Sequence, residues 1–167
     1  EFHGRFTIDS RPEIGTFALG TVYLDINGNF VFDPQGADND QTNRDLVFLF
    51  GEPDDKVFAG NFAPQGAVAA SGFDKLAAYG KRDDGHWGGS SGESLGESYD
   101  DDWYWLFDFD HNGTVDLEVK SGQQIAGDPA AGNFDLAILG VDSHPGDEIA
   151  LFDDGKWYLD TSGNNNI

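Results

Sequence analysis

Cysteine and methionine are both absent from this chain of 167 residues. Without cysteine there is no disulfide and no thiolate metal site. Without methionine, residue 1 is not a translated start, so the chain is expected to be a processed mature form or a fragment of a longer protein. Bases are scarce: nine Lys and Arg stand against 31 Asp and Glu, for a formal net charge of −22. Such a surface repels nucleic-acid phosphates, which excludes a nucleic-acid-binding role. No apolar run reaches the roughly 18 residues that mark a membrane-spanning helix. Helical periodicity is missing too, since the Ala-rich stretch from Gly66 to Ala70 is too short to form a helix of its own.

Signatures of catalysis are equally scarce. There is no H-E-x-x-H, no phosphate-cradling G-x-x-x-x-G-K and no dinucleotide fingerprint. The G-x-S-x-G spacings around Ser90 and Ser94 lie in a Gly/Ser-rich stretch without the apolar strand before and helical run after that a nucleophile elbow needs, and His3, His86, His111 and His144 fall near a terminus or in turn-like and Gly-rich stretches. The chain is therefore expected not to be an enzyme.

Present instead are 23 glycines, 14 phenylalanines and an aromatic content of 14%. Aromatic residues suit pleated, half-buried surfaces, and roughly ten to twelve short apolar runs bounded by turn residues predict an all-β, antiparallel fold. The expected strands include Arg5–Ile8 as an edge or donated strand, Glu13–Leu19, Thr21–Asp25, Phe30–Phe32 and Lys56–Phe62. Further runs are Phe73–Tyr79, Gln123–Ala126, Asp135–Gly140, Asp147–Phe152 and Lys156–Asp160. Asp45–Phe50 is the most apolar run and is predicted to be a central strand with both faces covered.

Asp outnumbers Glu by 24 to 7, and Asp is the short acid that suits turns and calcium loops. The most ordered acidic stretch runs from Asp108 to Asp116 and reads D-x-D-x-N-G-x-x-D. Asp108, Asp110, Asn112 and Asp116 occupy loop positions one, three, five and nine, with Gly113 at six for the tight turn and the Thr114 carbonyl at seven. That is the ligand order of a loop for Ca²⁺, a hard ion that takes oxygen ligands. Position twelve is Val119 rather than the Glu of a helix-flanked calcium loop. The flanks, Trp103–Phe107 and Val115–Val119, are strand-like, so this loop is expected to close a β-hairpin.

The pattern recurs. Asp25, Asn27, Asn29 and Asp33 again stand at one, three, five and nine, although here the glycine is at four and Phe30 at six. A third copy starts at Asp160. Glu13-Ile14 aligns with Glu148-Ile149, Gly20 with Gly155, and Tyr23-Leu24-Asp25 with Tyr158-Leu159-Asp160, all without a gap. The three loops start 83 and 52 residues apart, so the chain is read as one domain over residues 1–167 with an internal repeat. Its units span approximately 12–55, 56–122 and 123–167, with a Gly/Ser-rich insertion at 81–102 in the second.

These loops between aromatic strands, with the Tyr-Leu-Asp lead-in and the Glu-Ile-Ala-Leu-Phe strand, resemble the FG-GAP and VCBS repeats of integrin-type β-propellers in large extracellular prokaryotic proteins. The resemblance implies propeller-blade-like units, in an incomplete propeller or a sandwich. It implies Ca²⁺ held by Asp108, Asp110, Asn112 and Asp116, and a second ion at Asp25, Asn27, Asn29 and Asp33. The expected role is a calcium-stabilised, secreted or cell-surface structural or adhesive module that associates with itself or with other surface proteins. The rival expectation is a carbohydrate-binding or polysaccharide-degrading accessory module in which Trp87 and Tyr99 stack on sugar rings. Trp103, Tyr104 and Trp105 are expected in the core instead. A third possibility is an acidic domain of a high-salt habitat, in which monovalent salt replaces calcium fully.

Overall fold

The computed structural model describes residues 2–4, 13–26, 30–33, 45–63, 72–83, 101–134, 146–161, 164, 166 and 167. Among them the protein is all-β, with eleven strands: β1 (Phe2–Gly4), β2 (Glu13–Ala18), β3 (Thr21–Asp25), β4 (Leu46–Leu49), β5 (Lys56–Gly60), β6 (Lys75–Asp83), β7 (Asp101–Asp108), β8 (Leu117–Lys120), β9 (Asp128–Gly132), β10 (Glu148–Asp153) and β11 (Lys156–Leu159). No described helix is long and apolar enough to cross a membrane.

The strands form three consecutive antiparallel meanders: β1-β2-β3-β4, β5-β6-β7-β8 and β9-β10-β11. Among the described residues these sheets do not close into a barrel or a propeller ring. They stack as layers, and the middle sheet is the wall between two cores. Because side chains alternate across a strand, Leu76, Ala78 and Leu106 point to the first sheet and meet Val22, Leu24 and Phe50. Ala77, Tyr79, Trp105 and Phe107 point the other way and meet Ile149 and Leu151 of the third sheet. All seven of these middle-sheet residues are fully buried. Each large side chain removed from water in this way contributes about 1.5–3 kcal/mol. The second core is a column of rings: Tyr79 lies 4.3 Å from Trp105 and stacks on Trp103 at 4.9 Å. Phe58, Phe62 and Phe107 continue it edge to face. Trp103, Tyr104 and Trp105 therefore pack as core residues.

The first and third hairpins match in detail. Leu19 and Gly20 both have positive φ (52° and 78°), and so do Asp154 and Gly155 (44° and 77°). Positive φ at both central residues is the hairpin turn whose twist matches that of its strands. The strands leave these turns in the same register, Ala18 opposite Thr21 and Asp153 opposite Lys156.

Four expectations need correction. Strand β4 is the last strand of its sheet, not a central one. Its Leu46 and Phe48 pack inward, while Val47 and Leu49 are 45% and 71% exposed. The segment Gln123–Ala126 is not a strand; pairing begins at Asp128, where Pro129 sits opposite Leu151 in the outer strand of its sheet. Phe30–Phe32 is irregular, with Phe30 at φ 63°. Finally, β6 and β7 run into the range read as an insertion: Lys81 to Asp83 pair with Trp103 to Asp101. The expected strands Arg5–Ile8 and Asp135–Gly140 lie outside the described residues.

Candidate metal centre

Strand β7 ends on Asp108, opposite Leu76, and the chain re-enters the sheet as β8, so the loop does close a hairpin. Asp108 is fully buried. Burial raises its pKa, and the loop's own N–H groups partly counter that effect. Gly113 N–H donates to Asp108 Oδ2 at 2.9 Å, and those of Asp110 and Asn112 donate to Oδ1, each at 3.3 Å. Asn112 N–H also reaches Asp110 Oδ1 at 3.2 Å. Across the mouth, Phe109 N–H donates to Asp116 Oδ2 at 2.7 Å. These bonds curl the loop until carboxylate oxygens of Asp108, Asp110 and Asp116 lie within 4.8 Å of one another.

That spacing suits a cation. Two oxygens each about 2.3–2.6 Å from one Ca²⁺ cannot be more than roughly 5 Å apart, and an all-oxygen set suits a hard ion. Three carboxylates at this distance repel, and an ion between them reverses the sign of the interaction. Asn112 lies beside the trio: its Nδ2 donates to Asp110 Oδ2 at 3.0 Å and its Oδ1 accepts from Thr114 N–H at 2.6 Å. His111, at position four, turns outward and bonds the Asp74 carbonyl at 2.9 Å. Gly113 is needed twice over. Its φ is 79°, and a Cβ there would stand 2.8 Å from the Leu49 carbonyl oxygen.

The first loop repeats part of this wiring. Phe30 N–H donates to Asp25 Oδ2 at 2.8 Å, the same position-six to position-one bond that Gly113 makes with Asp108. Positive φ also falls at position six, although Phe30 stands where a glycine would be easier. The position-two N–H differs in a useful way. In the second loop it goes to Asp116, but in the first Ile26 donates to Asp45 Oδ1 at 3.2 Å, and Asp33 N–H takes Asp45 Oδ2 at 2.6 Å. Asp45 thus holds the place that Asp116 holds in the second loop. It is buried, which raises its pKa, and the nearby charges of Asp25 and Asp33 push it in the same direction. Nothing in the spacing of the nonapeptide points to Asp45.

The third loop begins alike. Asp160 is buried, and Asn166 N–H donates to Asn164 Oδ1 at 3.0 Å, as Thr114 does to Asn112. Asn27, Asn29, Trp87 and Tyr99 lie outside the described residues. Beside the first loop, Ile14, Tyr23, Asp25, Phe30 and Phe32 line a cleft of about 460 Å³ on the outer side of the first sheet. Comparison with protein-family models, curated proteins and solved structures finds no match for this chain.

Proposed function

We propose that the chain is a calcium-stabilised structural or adhesive module of an extracellular surface, built from blade-like repeats of the FG-GAP/VCBS kind and able to self-associate. The observation that carries this reading is the convergence of Asp108, Asp110 and Asp116 on one point at a hairpin end. Asn112 and the Thr114 carbonyl complete the proposed ligand set, and Asp25, Asp33 and Asp45, with Asn27 and Asn29, form its counterpart in the first sheet. The role is structural rather than catalytic. An ion cancels repulsion among the carboxylates and pins β7 to β8. It adds RT ln(1 + [L]/Kd) to stability, about 2.7 kcal/mol when calcium is at a hundred times Kd.

The test is thermal unfolding after chelation, with Ca²⁺, Mg²⁺ and NaCl returned separately. Calcium at micromolar to millimolar concentration is expected to raise the midpoint, and Asp108→Ala to remove most of that gain. Equal stabilisation by NaCl would refute the metal centre.

A further inference from the structure

The three loops set up a residue-by-residue equivalence among the sheets. With Asp25, Asp108 and Asp160 level, Val22 and Leu24 of β3 correspond to Trp105 and Phe107 of β7, and to Trp157 and Leu159 of β11. The first two pairs are fully buried, each against the sheet that follows. Trp157 and Leu159 occupy the same place on the third sheet and are 58% and 39% exposed. Phe152, cross-strand from Trp157 and level with the buried Tyr79, completes the patch with a ring contact of 5.0 Å. At Phe152, Trp157 and Leu159 the third sheet thus presents the part of the face that both of its counterparts bury, whereas Ala150 and Glu148 on the same side are already covered.

The first sheet presents the complementary face. Leu106 and Tyr104 of β7 and Tyr158 of β11 point back to the preceding sheet. The β3 residues at those levels, Tyr23 and Thr21, lie on the outer side of the first sheet, cross-strand from the exposed Val47 and Leu49. The cleft formed by Ile14, Tyr23, Phe30 and Phe32 opens on this side. The middle sheet stands between the two outer faces, so within this stack the chain does not bring its own pair together.

We infer that the outer face of the third sheet, centred on Trp157, stacks on the outer face of the first sheet of a second copy. This continues between molecules the contact that the chain makes twice within itself. It deepens the proposed self-association and rests on that reading. The two surfaces differ, so the contact is heterologous and the assembly open-ended. At a net charge of −22 the copies repel, so growth requires screening, and the Debye length falls from about 30 Å at 0.01 M salt to about 8 Å at 0.15 M.

Sedimentation velocity over a protein concentration series, in about 0.15 M NaCl with calcium present, tests this. The unaltered chain is expected to form species beyond the dimer that grow with concentration. Trp157→Asp alone and Leu49→Asp alone should each give monomers, because each spoils one face. Their equimolar mixture should give a heterodimer that grows no further, since each variant retains the face the other lacks. The milder Trp157→Ser and Leu49→Ser replace any variant whose melting midpoint drops. A wild-type chain that stays monomeric throughout overturns the proposal, as does a wild-type dimer that survives Leu49→Asp. Calcium-dependent melting of the same samples reports separately on the Asp108 centre. Association lost with the melting shift retained defeats the face contact alone, and the converse defeats the calcium reading alone.

Discussion

Arg82 Nη1 donates to Asp55 Oδ1 at 2.7 Å, its Nη2 takes the other carboxylate oxygen, and both side chains are only 2% exposed. This pair ties the start of β5 to the far end of β6. The carboxylate also accepts Glu52 N–H at 2.8 Å. Breaking such a pair by removing one partner leaves a buried charge and costs about 3–5 kcal/mol. Asp55→Asn and Arg82→Met should each lower the melting midpoint by about 10 °C. The double variant Asp55→Leu with Arg82→Met should recover part of that loss, because no charge is left stranded. A double variant as unstable as the sum of the singles would count against the pair.

At Asp108 the expected effect changes with the metal. Its pKa is raised, so the neutral form is favoured in the fold, and without metal ionisation weakens the protein as pH rises above the ordinary carboxylate value. In chelator at neutral pH, Asp108→Asn is therefore expected to cost little. In saturating calcium it should forfeit most of the stabilisation, about 2–3 kcal/mol by the linkage relation. Denaturant midpoints with and without chelator measure the difference. An equal loss in both buffers would make Asp108 a hydrogen-bonding residue only.

Asp45 accepts two backbone N–H groups and lies buried, whereas Asp33 contributes its own N–H to that arrangement. Orphaning a buried donor costs about 1–3 kcal/mol. Asp45→Ala should therefore destabilise the protein clearly more than Asp33→Ala in urea titrations. The reverse order would restore Asp33 to the position-nine role that its spacing suggests.

Tyr79 is the alkaline weak point. Burial lifts its pKa to about 12, and its hydroxyl donates toward the carbonyls of Ile125 at 2.8 Å and Gln123 at 3.1 Å, bonds that only the protonated form can make. A raised folded-state pKa means the folded form holds its proton longer. Its contribution is complete below about pH 10, the unfolded value, and is lost as pH climbs towards about 12. Tyr79→Phe should flatten stability across that window while costing about 1 kcal/mol at neutral pH. An unchanged alkaline profile in the variant would assign the transition elsewhere.

Gly113→Ala should lower the midpoint by several degrees, since the residue combines positive φ with a close approach to the Leu49 carbonyl. Gly155→Ala has the same φ problem with nothing within 4 Å of its Cβ, and should cost less. Equal losses would show that the packing against β4 contributes nothing.

How much of this was legible in the residues depends on the range of the interaction. The Asp108 hairpin and the matched 13–25 and 148–160 hairpins rest on local chemistry: alternating oxygens, a glycine in the turn, aromatic flanks. All three are present in the structure. Strand β4 was misplaced because Leu-Val-Phe-Leu is apolar at every position, and a run alone does not show whether a second sheet covers its outer face. Strand β9 escaped notice because Asp-Pro-Ala-Ala-Gly has no branched or aromatic residue; tertiary pairing with β10 overrides its propensity. Asp45 looks in the sequence like the start of a strand, since only the closure of the fold brings it to the first loop.

At the centre of β6 and β7, from Leu76 to Tyr79 and from Trp105 to Phe107, the middle sheet is buried on both faces, and this bears on how the molecule opens. Peeling either outer sheet away would expose Leu76 and Leu106, or Trp105 and Phe107, to solvent at once, so partial opening carries nearly the cost of complete opening. The amides of β6 and β7 should then be the last to exchange with heavy water, and at a rate set by global unfolding. Those of β4 and β11, whose outward side chains meet water, should exchange through local fraying well before them.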